Sequence, residues 1–481
     1  MRDTIDVYEL PKYMAMGFCD DVKAAAELIA AAPEVTIISH IDADGISCEA
    51  ILSQAVSRLG IPVKSVFVRQ LEPLTMPQVP SDASLKIFSD LGAGQQNLMM
   101  ERGFTDKEIL IVDHHVSQPV ERQYQQVNCL PHGFTRMSAA GVSYFVAKEL
   151  GGKNVDLAKL AIIGNVGDMM AREKCGLVGP VREKIVEDGI RHGSVEVSKK
   201  DLNCYGTATR PVHLSLAYND DPFIKGISNN PEGARQFLKK LGIRQQTPEG
   251  RYYVWEELPA DNRKMIISAL AQQLMANGEK TDRLFAEIYR FPDEIPRTPM
   301  RNAQEYATLL NACGRWSKPQ TGSLILRGDR GPAYRDAEHM LNNHRAIIRD
   351  LLQYIIDTGV RELGNLQYLH VGGRYPDTIV GIGAGMALSK LNSSKPILIM
   401  CEVPEDRNLT KVSMRTTERV VERGIDLQQA LSDASSEYGG GGGGHKIAAG
   451  AYIPKTAEEE FVHRVNRILG EQFAAACPGN R

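Results

Sequence analysis

The stretch Val35-Thr36-Ile37-Ile38-Ser39-His40-Ile41-Asp42-Ala43-Asp44-Gly45 decides how the first third of the chain folds. Its first four residues are β-branched and have the length of a buried strand, and they run directly into ligand-type side chains. Working outward, Val63 to Val68, Leu85 to Phe88 and Ile109 to Val112 have the same character. Asp44 to Leu59 and Ser138 to Leu150 read as helices between and after them. Continuously apolar strands separated by helices imply βαβ units and a doubly wound parallel sheet.

The other strands end much as the first does. Leu85 to Phe88 leads into Ser89-Asp90-Leu91-Gly92, and Ile109 to Val112 leads into Asp113-His114-His115. A fourth acid, Asp168, closes Gly164-Asn165-Val166-Gly167-Asp168 after an apolar helix. Sites form at the carboxyl edge of an open α/β sheet. Neighbouring strands lie about 4.8 Å apart, so these clusters can converge. Carboxylates held so close raise one another's pKa unless cations sit between them. Mixed carboxylate and imidazole donors suit Mn²⁺, Zn²⁺ or Fe²⁺ better than Ca²⁺. Four aspartates and two or three histidines exceed one ion's needs. They point to a two-metal hydrolytic site, with ions about 3.5–4 Å apart around a bridging hydroxide. Singly each fragment is weak, since an Asp after a strand is often a helix cap and a lone His a packing residue. Four fragments, each in the right structural context, carry the reading together.

The chain has 481 residues, 43% hydrophobic and 24% charged, which excludes collagen-like and disordered classes. Lys+Arg (56) and Asp+Glu (59) nearly balance, so overall charge does not announce a polyanion partner. No window approaches 18 uncharged apolar residues, and the charged start MRDTIDVYELPKYM does not resemble a secretory signal. A cytoplasmic protein with no membrane partner is expected. Cys19, Cys48, Cys129, Cys175, Cys204, Cys313, Cys401 and Cys477 include no C-x-x-C pair, so single thiols are expected rather than disulfides or a zinc site.

Residues 1–200 form the first expected domain. Residues 201–325 read as a mainly helical insertion, turn-rich at first and helical at Met265 to Gly278 and Ala303 to Cys313. A linker at 326–360 carries a long helix, Arg335 to Thr358, expected to bridge two lobes. Residues 361–481 return to a smaller α/β domain with strands at Leu366 to Val371, Pro396 to Met400 and Leu409 to Met414. There the glycine run 439–444 meets His445 and Lys446. Glycines let backbone N–H groups wrap a phosphate, His445 and Lys446 add donors, and Arg415 can grip a phosphate bidentately. The competing reading is a flexible linker. The small residues after Lys446 read as a helix start. Ser138 reads as an N-cap. Residues 297–349 carry nine basic residues (297, 301, 315, 318, 327, 330, 335, 345, 349) against four acids, interleaved with Tyr306, Trp316 and Tyr334. That suits a single-stranded nucleic-acid track, or a solvated face over core aromatics.

His40-x-Asp42-x-Asp44-Gly45, Asp90, Asp113-His114-His115 and Gly164-Asn165-x-Gly167-Asp168 resemble the four motifs of the DHH phosphoesterase superfamily. Gly441-Gly442-Gly443-Gly444-His445-Lys446-Ile447-Ala448-Ala449-Gly450 resembles the signature of the DHH-associated C-terminal domain, and Val412-Ser413-Met414-Arg415 its substrate-binding strand. The insertion, with Arg210-Pro211, Pro222 and Leu309-Leu310-Asn311-Ala312-Cys313-Gly314-Arg315, is similar to archaeal RecJ-like proteins, among them the GINS-associated nuclease group.

The resemblance implies a doubly wound DHH domain, a helical insertion and a smaller α/β DHH-associated domain. It implies two Mn²⁺ ions, with Mg²⁺ or Co²⁺ as substitutes: His40, Asp42 and Asp90 for the first, and Asp44, Asp90, His114 and Asp168 for the second. Asp90 would bridge, Asp113 would orient the histidines and His115 would face the scissile phosphate. Arg415, Gly443, Gly444, His445 and Lys446 would hold substrate. The implied activity is exonucleolytic hydrolysis of single-stranded DNA or RNA from one end, in replication or repair. The alternatives are an oligoribonucleotide or nucleoside-bisphosphate phosphoesterase, or a replisome scaffold that binds GINS. His40 departs from bacterial RecJ, where an acid is expected.

Overall fold

The computed structural model describes residues 12–73, 75–121, 123–403 and 406–475, so Cys477 and the first eleven residues lie outside it. The side chains of residues 12–15, 344 and 345 also lie outside the description, Arg345 of the basic stretch among them. Two compact units divide the chain, Met1–Glu338 and His339–Arg481, and the division falls inside the helix Pro332–Thr358.

In the first unit, β1 (Val35–His40), β2 (Val63–Val68), β3 (Leu85–Ser89), β4 (Ile109–Asp113) and β5 (Gln125–Asn128) form a parallel sheet in the order β2-β1-β3-β4-β5. β5 was not foreseen, because Gln125-Gln126-Val127-Asn128 carries one apolar residue and no strand-length run. Val35, Ile37, Ile38, Ile87, Phe88 and Ile109 to Val112 are all fully buried, as strands covered on both faces require. Ile38, Phe88, Ile109 and Ile111 pack on Leu71, Met76, Val79 and Met99. The helices Ala43–Arg58 and Ala139–Leu150 approach the sheet and each other.

The insertion begins and ends on strands. β6 (Glu196–Leu202) pairs antiparallel with β7 (Phe285–Arg290). Between them, Leu216, Leu238, Trp255, Ile266 and Leu270 belong to a separate apolar core. The Trp255 indole donates to Asp201 Oδ1 (2.9 Å), and Arg290 Nη2 donates to Asp201 Oδ2 (2.7 Å). Residues 303–325 were expected in the insertion too, yet the helices they form pack elsewhere. Ala303–Arg315 lies on Ala158–Gly167, and Pro319–Leu326 lies on Ala43–Arg58. Their apolar stripes cover the sheet domain, which helical periodicity alone does not reveal.

In the second unit, β8 (Arg361–Glu362), β9 (Gln367–His370), β10 (Ile397–Val403), β11 (Asp406–Arg415), β12 (Gly441–Gly444) and β13 (Ala448–Pro454) form a mixed sheet in the order β12-β13-β11-β10-β9-β8. One face packs on the helices Leu427–Glu437 and Glu458–Ala475, and the other on Asp377–Ala387. The glycine run is thus an edge strand rather than a linker, and Ala448–Pro454 is a strand where a helix start was expected. Gly444 has φ +132°, and a Cβ at Gly442 would lie 2.9 Å from Leu431 O, so glycine is structurally required at both.

Candidate metal centre and phosphate-binding edge

The carboxyl ends of the adjacent strands β1, β3 and β4 bring the first three motifs together. His40 ends β1. Asp42 caps the following helix, its Oδ1 accepting from Gly45 N (3.0 Å). Asp90 follows β3 with φ +60°, a backbone conformation that costs a non-glycine residue on the order of 1 kcal/mol and aims its carboxylate at the edge. Its Oδ2 lies 3.3 Å from His40 Nδ1 and its Oδ1 lies 3.4 Å from His114 Nε2. His114 Nε2 in turn lies 3.5 Å from Asp168 Oδ2.

Two donor triads result, with His40, Asp42 and Asp90 in one and Asp44, His114 and Asp168 in the other, each within 4.8 Å. Asp113 Oδ1 meets His115 Nδ1 at 2.8 Å and also accepts from the His114 N–H (2.8 Å). Asp113 therefore orients the His115 ring, whereas the His114 ring is held between Asp90 and Asp168. The His115 side chain is half-exposed at the edge.

Burial pushes the Asp44 carboxyl well up, and Asp90 and Asp168 add repulsion. Burial likewise drives Asp168 up to about 7, with Asp90 and Asp42 adding to it against the pull of His114. Burial works against a charged His114, yet Asp90, Asp44 and Asp168 more than offset it and carry the ring up to about 10. Asp42 is held below its usual range, burial being outweighed by His40 beside it. Asp168 Oδ2 is buried without a hydrogen bond among the described residues. Crowded, partly repelling carboxylates with an unsatisfied oxygen are what divalent cations neutralise, so the donor set fits metal binding.

Ser138 was expected as an N-cap. It does precede the helix Ala139–Leu150, but its hydroxyl makes no cap bond and instead donates to Asp44 Oδ1 (2.7 Å). The Ala139 and Ala140 N–H groups donate to the same carboxylate (2.9 and 3.1 Å). Asp44 is thus an acid docked on the N-terminus of a helix from another part of the chain. Gly164 makes room for it, since a Cβ there would lie 2.4 Å from Ala140 Cβ and 2.7 Å from Asp44 Oδ1. Asn165 Oδ1 accepts from Ser138 N (2.9 Å), and Asn311 Oδ1 accepts from Ala43 N (2.9 Å). Neither amide was assigned a role from sequence, although both stand within quoted motifs.

In the second unit, Arg415 pairs in register with Ala448 and Gly444 with Ala449, so both sit at one end of the sheet. Arg415 Nη1 donates to Met414 O (2.8 Å), and burial lowers the guanidinium's pKa. Gly443 is half-buried, and His445 and Lys446 are exposed in the turn that follows. Lys446 Nζ lies 3.8 Å from Asp426.

Part of the basic stretch is engaged within the protein. Tyr306 is fully buried, Arg327 pairs with Glu49, Arg330 with Glu294, and Arg297 with Glu257. With Arg301 near Glu256, four of the nine basic residues are engaged in internal ion pairs.

Residues 204–286 match the DHH-CID domain and 364–471 match the DHHA1 domain. A protein of Methanocaldococcus jannaschii is 26% identical over 453 residues, covering 91% of this chain and 94% of its own. The exonuclease RecJ bound to manganese shares the fold at TM-score 0.56 and 16% identity, over 94% of both chains. CDC45 from Entamoeba histolytica shares it at TM-score 0.61 and 11% identity, over 95% of this chain and 98% of its own. The chain thus carries regions matching the DHH-CID and DHHA1 domains, beside a parallel sheet with an acidic carboxyl edge. In fold the chain is RecJ-like, a DHH phosphoesterase fold followed by a DHHA1 domain. No helix among the described residues is long and apolar enough to cross a membrane.

Proposed function

We propose that this protein is a metal-dependent phosphodiesterase that removes nucleotides from one end of single-stranded DNA or RNA. The observation that carries the reading is the pair of donor triads joined through Asp90, which reaches His40 and His114 at 3.3 and 3.4 Å. His40, Asp42 and Asp90 would hold one ion, and Asp44, Asp90, His114 and Asp168 the other, with Mn²⁺ favoured and Mg²⁺ or Co²⁺ as substitutes. Two such ions would acidify a water and neutralise charge on a phosphoryl group.

The chain's own residues supply the rest. Ser138 and the N-terminus of Ala139–Leu150 hold Asp44 in place. Against the opposing effect of burial, Asp113 accepts from His115 Nδ1 and raises the ring's pKa, so that His115 in its protonated form presents Nε2–H as a donor toward a phosphate oxygen, where it steadies developing charge. In the second unit, Arg415, Gly443, Gly444, His445 and Lys446 would grip backbone phosphates of the strand. A fold likeness to CDC45 supports a second reading, a replisome scaffold that binds GINS, with hydrolysis secondary.

The test is digestion of end-labelled single-stranded DNA and RNA with Mn²⁺, alongside Asp90→Ala. A mononucleotide ladder from one end, absent in the variant, is expected. Cleavage restricted to very short oligonucleotides would replace the exonuclease with a small-substrate phosphoesterase. No hydrolysis, together with capture of GINS in a pull-down, would favour the scaffold.

A further inference from the structure

A cavity of about 390 Å³ opens in the first unit beside the Asp168 loop. This lies within the roughly 300–1,000 Å³ typical of small-molecule sites. Gly167 and Met169, on either side of Asp168, belong to its wall, and so does Asn311, the residue that accepts from Ala43 N. The insertion contributes Tyr205, Tyr218 and Asn219. The Arg210 guanidinium lies 4.7 Å from the Tyr205 ring centre and 5.4 Å from that of Tyr218, which steadies both rings. Tyr218 is nevertheless 57% exposed.

The charge within the cavity is largely cancelled. Arg283 Nε contacts Asp221 at 2.7 Å, and Arg182 holds Glu287 at 3.0 Å. The wall therefore makes a poor phosphate cradle. It does offer flat rings together with the amides of Asn219 and Gln304, whose side chains make no hydrogen bond among the described residues. An amide donates and accepts at once, as base edges require, and the Asp220 carboxylate can accept from an exocyclic amino group. The exposed Arg172 on the wall can meet an attached phosphate.

We propose that this cavity holds one nucleobase of the bound strand, stacked on Tyr218 and contacted by Asn219 and Gln304. The proposal rests on the nucleic-acid reading above and gives it a base-dependent subsite next to the metal-binding edge. A single base stacked on an aromatic ring contributes enough to change binding roughly 5- to 150-fold.

The experiment uses the full chain carrying Asp90→Ala and single strands with 2-aminopurine at each of the first few positions from either end. Anisotropy reports binding, and 2-aminopurine quenching reports stacking. Quenching at one position is expected, lost in Asp90→Ala/Tyr218→Ala and kept in Asp90→Ala/Tyr218→Phe. In the otherwise native chain, an abasic residue at that position should lower kcat/KM by a similar factor, and Tyr218→Ala should erase the difference. Bound strands whose quenching ignores Tyr218→Ala would overturn the subsite, even if hydrolysis is normal. Quenching that depends on Tyr218 without any hydrolysis by the native chain would keep the subsite and overturn the nuclease. No binding of any strand would overturn both.

Discussion

Replacing Asp168 by Asn should stabilise the metal-free protein at neutral to alkaline pH, although it removes a proposed metal ligand. A carboxyl moved from its ordinary 3.8 to about 7 carries about 4 kcal/mol of unfavourable electrostatics when it is ionised. Water still reaches 30% of the Asp168 side chain, and the variant deprives His114 of a partner at 3.5 Å, so about 2 kcal/mol is the expected net gain at pH 8. Between pH 3.8 and about 7 the folded state keeps a proton that the unfolded chain has released, so stability falls as pH rises through that window. His114, carried from 6.5 to about 10, extends the fall in the same direction. Asp113, held at about 2, acts oppositely, but its contribution is complete below pH 4. Calorimetry of the chelated protein at pH 5 and 8 should therefore show a loss of stability with rising pH that is shallower in Asp168→Asn. Excess Mn²⁺ should raise the unfolding temperature of the native chain and do so much less in the variant. Equal pH slopes for the two proteins, or a less stable variant at pH 8 without metal, would refute the reasoning.

Ser138→Ala removes one of three hydrogen bonds to the buried Asp44 carboxylate, a charge-assisted bond of about 1.5–3 kcal/mol, and should weaken Mn²⁺ binding about tenfold in a calorimetric titration. Gly164→Ala drives a methyl into Ala140 and the Asp44 carboxylate and should cost about 1–3 kcal/mol in denaturant unfolding, with hydrolysis lost alongside. Arg415→Ala should raise KM for long single strands while leaving turnover of dinucleotides close to native, measured by steady-state kinetics.

The acidic edge was legible because each ligand cluster directly follows an apolar run. A residue just past a buried parallel strand has only the carboxyl edge to occupy, so His40, Asp90 and Asp113 could be placed from local pattern alone. Asp168 sits at the end of a helix, and its convergence on His114 depends on the packing of Ala158–Gly167 against Ala43–Arg58. Ser138 shows the limit of local reading. Its position before a helix suggests a cap, and only the fold reveals that the helix N-terminus already receives the Asp44 carboxylate, 94 residues earlier in the chain. The glycine run fails for a related reason. Glycines carry no hydrophobic period, and nothing local tells an edge strand from a linker until β13 lies alongside.

The sequence by itself determined the parallel α/β sheet, the donor types at its edge and the return to α/β structure near the C-terminus. Strand periodicity and side-chain chemistry are local properties, written within a few residues. Tertiary structure decided which helices belong to which core, which charges are spent on ion pairs, and that Asp90, a member of one donor triad, also reaches His114 of the other. Those outcomes depend on distances between residues far apart in the chain, and burial and electrostatics follow distance in space rather than along the sequence.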